Sequence, residues 1–224
     1  LGRIGRWTES EGALRRATMA AADDADAQYW RGNALVHLGR PQEAAACYGD
    51  ALHARPGFAE ALCGLGNILG DQGRHEEGIS YLTRAIELKP DLADAHLGLG
   101  NLRIVNWELD GAVACYRRAL ELNPKLVQVH INLGNVLNSL GRPDEARLSF
   151  DAALALDPES GEARWSRALC LIPGLRETSD ELPRSRAAFA AALVDLEGWF
   201  DERHAEPGYR IVGVRQPFWL AYQE

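Results

Sequence analysis

The sequence has few of the residues from which catalytic sites and metal centres are usually built. Its 224 residues include only four cysteines and six histidines. No two cysteines stand at a metal-ligand or redox spacing, the histidines form no HExxH motif, and no glycine-rich phosphate-binding loop is present. We therefore expect no catalytic residue, no metal and no cofactor within this chain.

Positive charge and long apolar runs are also scarce. The chain has 24 Lys+Arg against 32 Asp+Glu, a formal net charge of −8. A nucleic-acid-binding protein needs a basic stripe that displaces counterions, so no nucleic-acid partner is expected. No apolar run approaches the roughly 20 residues of a membrane-spanning helix, so no membrane association is expected. The apolar content of 46% nevertheless predicts an ordered fold.

The cysteines indicate the compartment. Free cysteine behaves as a small apolar residue, and we interpret all four as reduced thiols: Cys47, Cys63, Cys115 and Cys170. This interpretation predicts a cytoplasmic protein. No signal peptide is visible, but the chain begins at Leu1 rather than with methionine. We expect that the native N-terminus is missing, which leaves a lost targeting segment open.

The sequence contains an internal repeat that the prolines reveal. Pro56, Pro90, Pro124 and Pro158 are each 34 residues apart. Placing each proline at position 32 defines four full repeats, 25–58, 59–92, 93–126 and 127–160. Position 8 is then always glycine, at Gly32, Gly66, Gly100 and Gly134. Position 27 is always alanine, at Ala51, Ala85, Ala119 and Ala153.

The period and these coincident positions identify the chain as a member of the tetratricopeptide-repeat (TPR) family over about three quarters of its length. The resemblance implies an all-α fold, a right-handed superhelix (α-solenoid) of helix-turn-helix repeats. It also implies that the chain binds a protein or an extended peptide in a concave groove. We expect the glycine at position 8 to mark a close crossing of the two helices of each repeat.

The flanks of the array depart from the full repeat. Residues 1–24 fit the second half of a truncated repeat, and 161–174 fit the first helix of a degenerate fifth repeat, predicted over Gly161–Leu171. Residues 175–224 are predicted to form a loop, a capping helix outside the repeats from about residue 181 to 204, and an irregular apolar tail. We expect Phe218, Trp219 and Leu220 of this tail to pack on the capping helix or on a missing domain.

Several repeat positions predict local structure. Gly39, Gly73 and Gly141 stand between the two helices, where a left-handed residue ends the first one. Repeat three has Asn106-Trp107 at this turn, and we expect Asn106 to take the left-handed conformation. His96 and His130 share position 4, a helix-packing position, and are interpreted as structural.

Asparagines are the most regular candidates for a binding site. Family geometry implies that positions 2, 5, 6, 9, 12 and 13 face the groove. Position 9 is Asn33, Asn67, Asn101 and Asn135, and repeat four adds Asn132 and Asn138. The amide has two donors and an acceptor, so a row of asparagines could bind the backbone of an extended peptide. The alternative, that each asparagine bonds a neighbouring helix, stays open.

Acidic and aromatic residues accompany the asparagines. Position 2 is Asp26, Glu60 and Asp94 in the first three repeats, which predicts either a negative groove wall or acids that favour a helix N-terminus. Tyr29 and Trp30 are candidate apolar anchors, or they pack against a missing part of the array. A chaperone-type carboxylate clamp is rejected, because position 5 lacks the lysine that the family clamp requires.

The end of the chain resembles a second group. Residues 212–223, V-G-V-R-Q-P-F-W-L-A-Y-Q, resemble the PFFLAYQG segment of bacterial TPR-linked glycosyltransferases, relatives of O-linked N-acetylglucosamine transferase and the SPINDLY proteins. The resemblance implies an acceptor-recognition region whose catalytic domain follows, so no catalytic residue can be assigned here. The alternative is a stand-alone TPR adaptor or a self-assembling, homo-oligomeric scaffold without an enzymatic domain.

Overall fold

The computed structural model describes residues 2–171 and 182–199, and every regular element in these two ranges is an α-helix. The chain divides into two compact units, Leu1–Asn123 and Pro124–Glu224. The helices of the first unit are α1 (Gly2–Ala20), α2 (Ala25–His37), α3 (Pro41–Ala54), α4 (Ala59–Asp71), α5 (His75–Leu88), α6 (Ala93–Val105) and α7 (Leu109–Leu122). Those described in the second unit are α8 (Val127–Ser139), α9 (Pro143–Leu156), α10 (Gly161–Leu169) and α11 (Leu182–Trp199).

The three full repeats of the first unit each form one helix pair. We call the first helix of a repeat helix A and the second helix B, so that α2, α4 and α6 pack against α3, α5 and α7 respectively. Consecutive repeats also contact each other, α4 lies directly against α6, and α1 packs on α2. The prediction of an all-α fold of helix-turn-helix repeats is therefore confirmed. Within the described ranges, no helix is long and apolar enough to cross a membrane.

Helices A and B cross closely at the glycine of position 8. A Cβ atom built on Gly100 would lie 2.6 Å from Cε1 of Tyr116, whose side chain is fully buried. Equivalent clashes occur between Gly32 and Tyr48, Gly66 and Leu82, and Gly134 and Phe150. Since a protein interior is close-packed, only glycine leaves room for these side chains, and the predicted close crossing is confirmed.

The turns between helices A and B place a left-handed residue at position 15. Gly39, Gly73 and Gly141 have φ values of 71°, 80° and 72°, as predicted. In repeat three, the left-handed residue is Trp107, with φ of 61°, whereas Asn106 has φ of −85°. The prediction for Asn106 was wrong, because all four turns place the left-handed residue at position 15, which is Trp107 in repeat three. Trp107 adopts this conformation although it costs a residue other than glycine about 1–2 kcal/mol.

Side chains join consecutive repeats through the carbonyl oxygen at position 32. The Nε2 atoms of His96 and His130 lie 3.0 Å from the carbonyl oxygens of Pro90 and Pro124. Arg164, at the same position as the histidines, donates to the carbonyl of Pro158 over 2.9 Å. These hydrogen bonds satisfy carbonyl groups in the turn that follows helix B, and they confirm the structural interpretation of both histidines.

The second unit contains the fourth repeat, α8 with α9, followed by α10 and α11. The Ser160 hydroxyl accepts the N–H of Ala163 and begins α10, which ends two residues before the predicted Leu171. Trp165 of α10 and Leu196 of α11 share a small core. The helix predicted from about 181 to 204 is thus present as α11. The rest of its predicted range and the tail with Phe218, Trp219 and Leu220 lie outside the described residues.

Candidate functional site

The predicted binding residues of the first unit all lie on its A helices. We call the surface formed by positions 2, 5, 6, 9, 12 and 13 of α2, α4 and α6 the A-face. Leu35 and Leu69, at position 11, are buried on the opposite side of α2 and α4, and on the A-face itself Cys63 is also buried. The predicted site residues on it are Asp26, Tyr29, Trp30, Asn33, Glu60, Asn67, Asp94 and Asn101.

Two asparagines of the A-face are held by tyrosines of helix B. The hydroxyl of Tyr48 donates to Oδ1 of Asn33 over 2.6 Å, and that of Tyr116 donates to Oδ1 of Asn101 over 2.7 Å. The Oδ1 atoms of Asn33 and Asn101 therefore form hydrogen bonds to a neighbouring helix, as the structural alternative for position 9 predicts. The amide N–H groups of Asn33 have no hydrogen-bond acceptor among the described residues. A tyrosine that fixes the oxygen therefore leaves the donors of Asn33 available and oriented.

Asn67 has a different environment because position 24 of its repeat is Leu82, which has no hydroxyl. Its Nδ2 lies 3.7 Å from Sγ of Cys63, which is a weak contact. Its Oδ1 lies against Gly98 of α6, where any Cβ atom would collide with it. The amide of Asn67 therefore lies at the seam between two A helices.

The remaining predicted asparagines belong to the second unit. Asn132, Asn135 and Asn138 all lie on α8. Asn132 accepts a hydrogen bond from Nε2 of Gln128 over 3.1 Å, so this oxygen is engaged within its own helix. Asn138 is exposed near the C-terminal end of α8.

The acids at position 2 are paired in two of the three repeats. Arg55 binds both carboxylate oxygens of Asp26, at 3.1 and 2.6 Å, and Lys89 binds Glu60 at 2.8 Å. Hydrogen bonding by these cations lowers the pKa of both carboxyl groups. In the third repeat, Asp94 is exposed and has no ion pair within the described residues. The negative wall predicted from the sequence is therefore neutralised in its first two repeats.

An aromatic cluster supports an exposed tryptophan on the A-face. The side chain of Tyr29 packs on Phe58, with ring centroids 4.9 Å apart, and Arg55 lies 4.6 Å above the Phe58 ring. Trp30 meets Tyr29 edge to face at 5.1 Å and is itself 58% exposed. One edge of Trp30 therefore contacts the cluster, and most of its surface is open to solvent.

Two contacts of the site were missed from the sequence, although each had a signal there. Asp26 and Glu60 each precede a basic residue by 29 positions, a spacing that repeats with the 34-residue period. Asn33 and Asn101 each precede a tyrosine by 15 positions. Both signals concern residues on different helices, so they become meaningful only after the helix pair is built.

A 34-residue helix pair, with glycine at the crossing and a left-handed residue at the turn, defines an α-helical repeat protein. Profiles of the tetratricopeptide repeat match residues 1–59, 35–93 and 127–160, and a TPR repeat profile matches 108–141. Together they cover more than half of the chain. The chain belongs to the tetratricopeptide-repeat family.

Solved structures, two of them described as TPR proteins, share this fold. YrrB, described as a TPR protein with an unusual peptide-binding site, is 21% identical, with a TM-score of 0.65 over 88% of this chain and 98% of YrrB. A thermophilic TPR protein of Thermus thermophilus is 25% identical, with a TM-score of 0.63 over 77% and 94%. PilF of Pseudomonas aeruginosa is 19% identical, with a TM-score of 0.71 over 88% and 86%. No curated protein matches the chain.

Proposed function

We propose that this TPR scaffold binds an extended segment of another protein on the A-face of its first unit. The observation that carries the proposal is Trp30, which is 58% exposed and contacts Tyr29 of the aromatic cluster along one edge. Tryptophan is enriched among the residues that dominate binding energy at protein interfaces. An apolar side chain of the partner would cover Trp30 and remove its surface from water.

The asparagines would bind the backbone of the same segment. An extended peptide leaves its N–H and C=O groups unpaired, so it needs acceptors and donors from the protein. The N–H groups of Asn33 can donate to a peptide carbonyl, whereas Oδ1 of Asn67 lies against Gly98 and takes no part. Because these contacts involve the backbone, they give affinity without reading the peptide sequence.

Peptide selection followed by substitution on the A-face tests this proposal. Random peptides displayed on phage are selected on the full chain, and the affinities of the selected peptides are measured by fluorescence anisotropy. Trp30→Ala and Asn33→Ala should each weaken binding. Trp107→Ala is the matched control, because Trp107 is 84% exposed but lies on a turn outside the A-face. Selected peptides that bind the Trp30→Ala and Asn33→Ala variants with unchanged affinity would refute an A-face site.

A second proposal assigns the chain to a larger enzyme. Here the TPR array is the acceptor-recognition region of a bacterial O-linked glycosyltransferase, and a catalytic domain follows it. The proposal is supported by the resemblance of residues 212–223 to a segment of those enzymes. Sequencing the gene beyond the codon for Glu224 tests this proposal. An α/β domain in the same reading frame would support the glycosyltransferase, and a stop codon would refute it in favour of a stand-alone TPR adaptor.

We also propose that the protein works in the cytoplasm. All four cysteines are free thiols and buried. Burial raises the pKa of Cys63 to about 12 and of Cys170 to about 11, which keeps both thiols protonated and poorly reactive. Cell fractionation with thiol labelling tests this, and recovery of the protein from an oxidising compartment would contradict it.

A further inference from the structure

The pairing of acids and bases along the A-face is incomplete in one repeat. Asp26 pairs with Arg55 and Glu60 pairs with Lys89, in each case a position 2 acid with a position 31 base of the same repeat. Repeat three has the acid, Asp94, but its position 31 is the uncharged Asn123. Asp94 is exposed, and no cation of the described residues forms an ion pair with it.

The rest of the A-face does not supply the missing cation. Its positions on α2, α4 and α6 contain no lysine and no arginine, and they contain four acids. After Asp26 and Glu60 are neutralised, the charges of Asp71 and Asp94 remain. Burial raises the pKa of the Cys63 thiol, and the charge of Asp94 on the neighbouring helix raises it further.

A favourable interaction with the helix dipole does not explain the unpaired acid by itself. Asp94 lies in the first turn of α6, where a negative charge is stabilising. Glu60 lies in the first turn of α4 and has the same advantage, yet it also has a base. The helix dipole therefore favours an acid at position 2 in both repeats. The two repeats differ in that Glu60 is paired with Lys89, whereas Asp94 has no cation beside it among the described residues.

We propose that the A-face binds a basic protein segment, in which a lysine or arginine pairs with Asp94 while an apolar side chain covers Trp30. This inference rests on the proposed peptide-binding function and names the chemistry of its partner. The cation of the segment takes the place that Arg55 and Lys89 occupy in the two preceding repeats. Charge complementarity selects this partner, since the A-face has unpaired acids and, apart from the single histidine His37, no basic side chain of its own.

The geometry also sets the spacing within the segment. Trp30 lies on α2 and Asp94 on α6, with α4 between them. Packed helices are about 8–10 Å apart, and α4 lies directly against α6 whereas α2 packs mainly on α3, so the two residues are at least about 16–20 Å apart across the A-face. An extended chain advances about 3.3 Å per residue, so this distance corresponds to at least about five or six residues. The bound segment should therefore carry its cation at least about five or six positions from its apolar anchor.

Selection of peptides on the full chain tests both the charge and the spacing. The probe is a phage-displayed library of random peptides of about a dozen residues, enough to span ~40 Å when extended. We expect selected sequences to pair a lysine or arginine with an aromatic or large aliphatic residue at that spacing. We also expect their affinity to fall as NaCl is raised, because the ion pair is exposed to solvent.

Matched substitutions isolate the contribution of Asp94. Asp94→Asn should weaken the selected peptides about two- to fivefold, the usual effect of one exposed ion pair. Asp110→Asn is the control, because Asp110 is an exposed acid at the same place in the first turn of α7, outside the A-face. Asn123→Lys should weaken binding similarly, because it supplies the internal base that repeats one and two already have. Melting temperatures establish that each variant is folded.

The outcomes separate this inference from the function on which it rests. If binding depends on Trp30 and Asn33 but the selected peptides are neutral or acidic, or bind Asp94→Asn unchanged, the A-face is a peptide site and the basic partner is refuted. If no peptide is recovered, or if binding ignores Trp30 and Asn33, the peptide-binding function itself is refuted. Both the peptide-binding function and the basic partner are supported if the selected peptides are basic, have the expected spacing, and bind more weakly when Trp30, Asn33 or Asp94 is substituted.

Discussion

The same substitution at two glycines is expected to have different effects on stability. Gly49 lies within α3, and a Cβ atom there would meet no other atom within 4 Å. Gly100 lies within α6, and a Cβ atom there would lie 2.6 Å from Cε1 of Tyr116. Because both residues are helical, Gly→Ala gains about 1 kcal/mol of helix propensity at either site. The difference between the two variants therefore measures the steric term alone.

The Tyr116 ring has little freedom to relieve the clash at Gly100. It is fully buried, and its hydroxyl donates to Asn101 over 2.7 Å. Overpacking a core by one methyl group costs about 1–3 kcal/mol. Gly100→Ala should therefore be about 1–3 kcal/mol less stable than Gly49→Ala, and Gly100→Leu less stable still.

Thermal unfolding followed by circular dichroism measures this difference. One kcal/mol corresponds to about 2–4 °C in Tm for a chain of this size, so Gly49→Ala should raise Tm by about that amount. Gly100→Ala should melt several degrees below Gly49→Ala. If both variants gain the same stability, the glycine at position 8 is not required by helix packing, and the explanation given for the close crossing is wrong.

Three further predictions concern the A-face and the tail. Tyr48→Phe removes the hydroxyl that holds Asn33, so it should cost about 0.5–1.5 kcal/mol in denaturant unfolding and weaken selected peptides; unchanged affinity would show that this hydroxyl does not prepare the site. The lowered pKa of Glu60 stabilises the fold above its ordinary pKa of 4.5, and this contribution is lost as pH falls through the lower folded value. Glu60→Gln should therefore flatten the decrease of Tm in acid, and an identical pH profile would contradict the pairing. Replacing Phe218 and Trp219 by serine should reduce self-association in light scattering at constant helix content, whereas a wild-type chain that is already monodisperse would contradict an apolar tail contact.

The A-face shows how one residue can have a packing role and a binding role. Oδ1 of Asn33 is engaged by Tyr48, which is the structural alternative, while its N–H groups remain available for a ligand. Asn67 packs its oxygen against Gly98, and its repeat has no tyrosine at position 24. The recurrence of asparagine at position 9 therefore does not imply one common function, and each side chain has to be assessed with its own neighbours.

Helix positions and close crossings could be derived from the sequence because they depend on local periodicity. The 34-residue spacing of the prolines and the recurring glycines predicted the helix pairs, and the four full repeats correspond to α2 through α9. A glycine inside a helix disfavours it by about 1 kcal/mol, so its recurrence at position 8 already indicated a need for space. The turn glycines were predicted for a similarly local reason, since only a left-handed residue ends helix A there.

The pairing of side chains on different helices was decided by the tertiary structure alone. Asp26 meets Arg55 across 29 residues, and whether an acid belongs to a groove wall or to an ion pair depends on where helix B returns to helix A. Trp107 takes the left-handed conformation against its own preference because the two helices it connects keep the register of the other repeats. Local propensity is worth about a kilocalorie per mole at one residue, whereas the packing of a helix pair combines many contacts, so the packing determines the outcome where the two disagree.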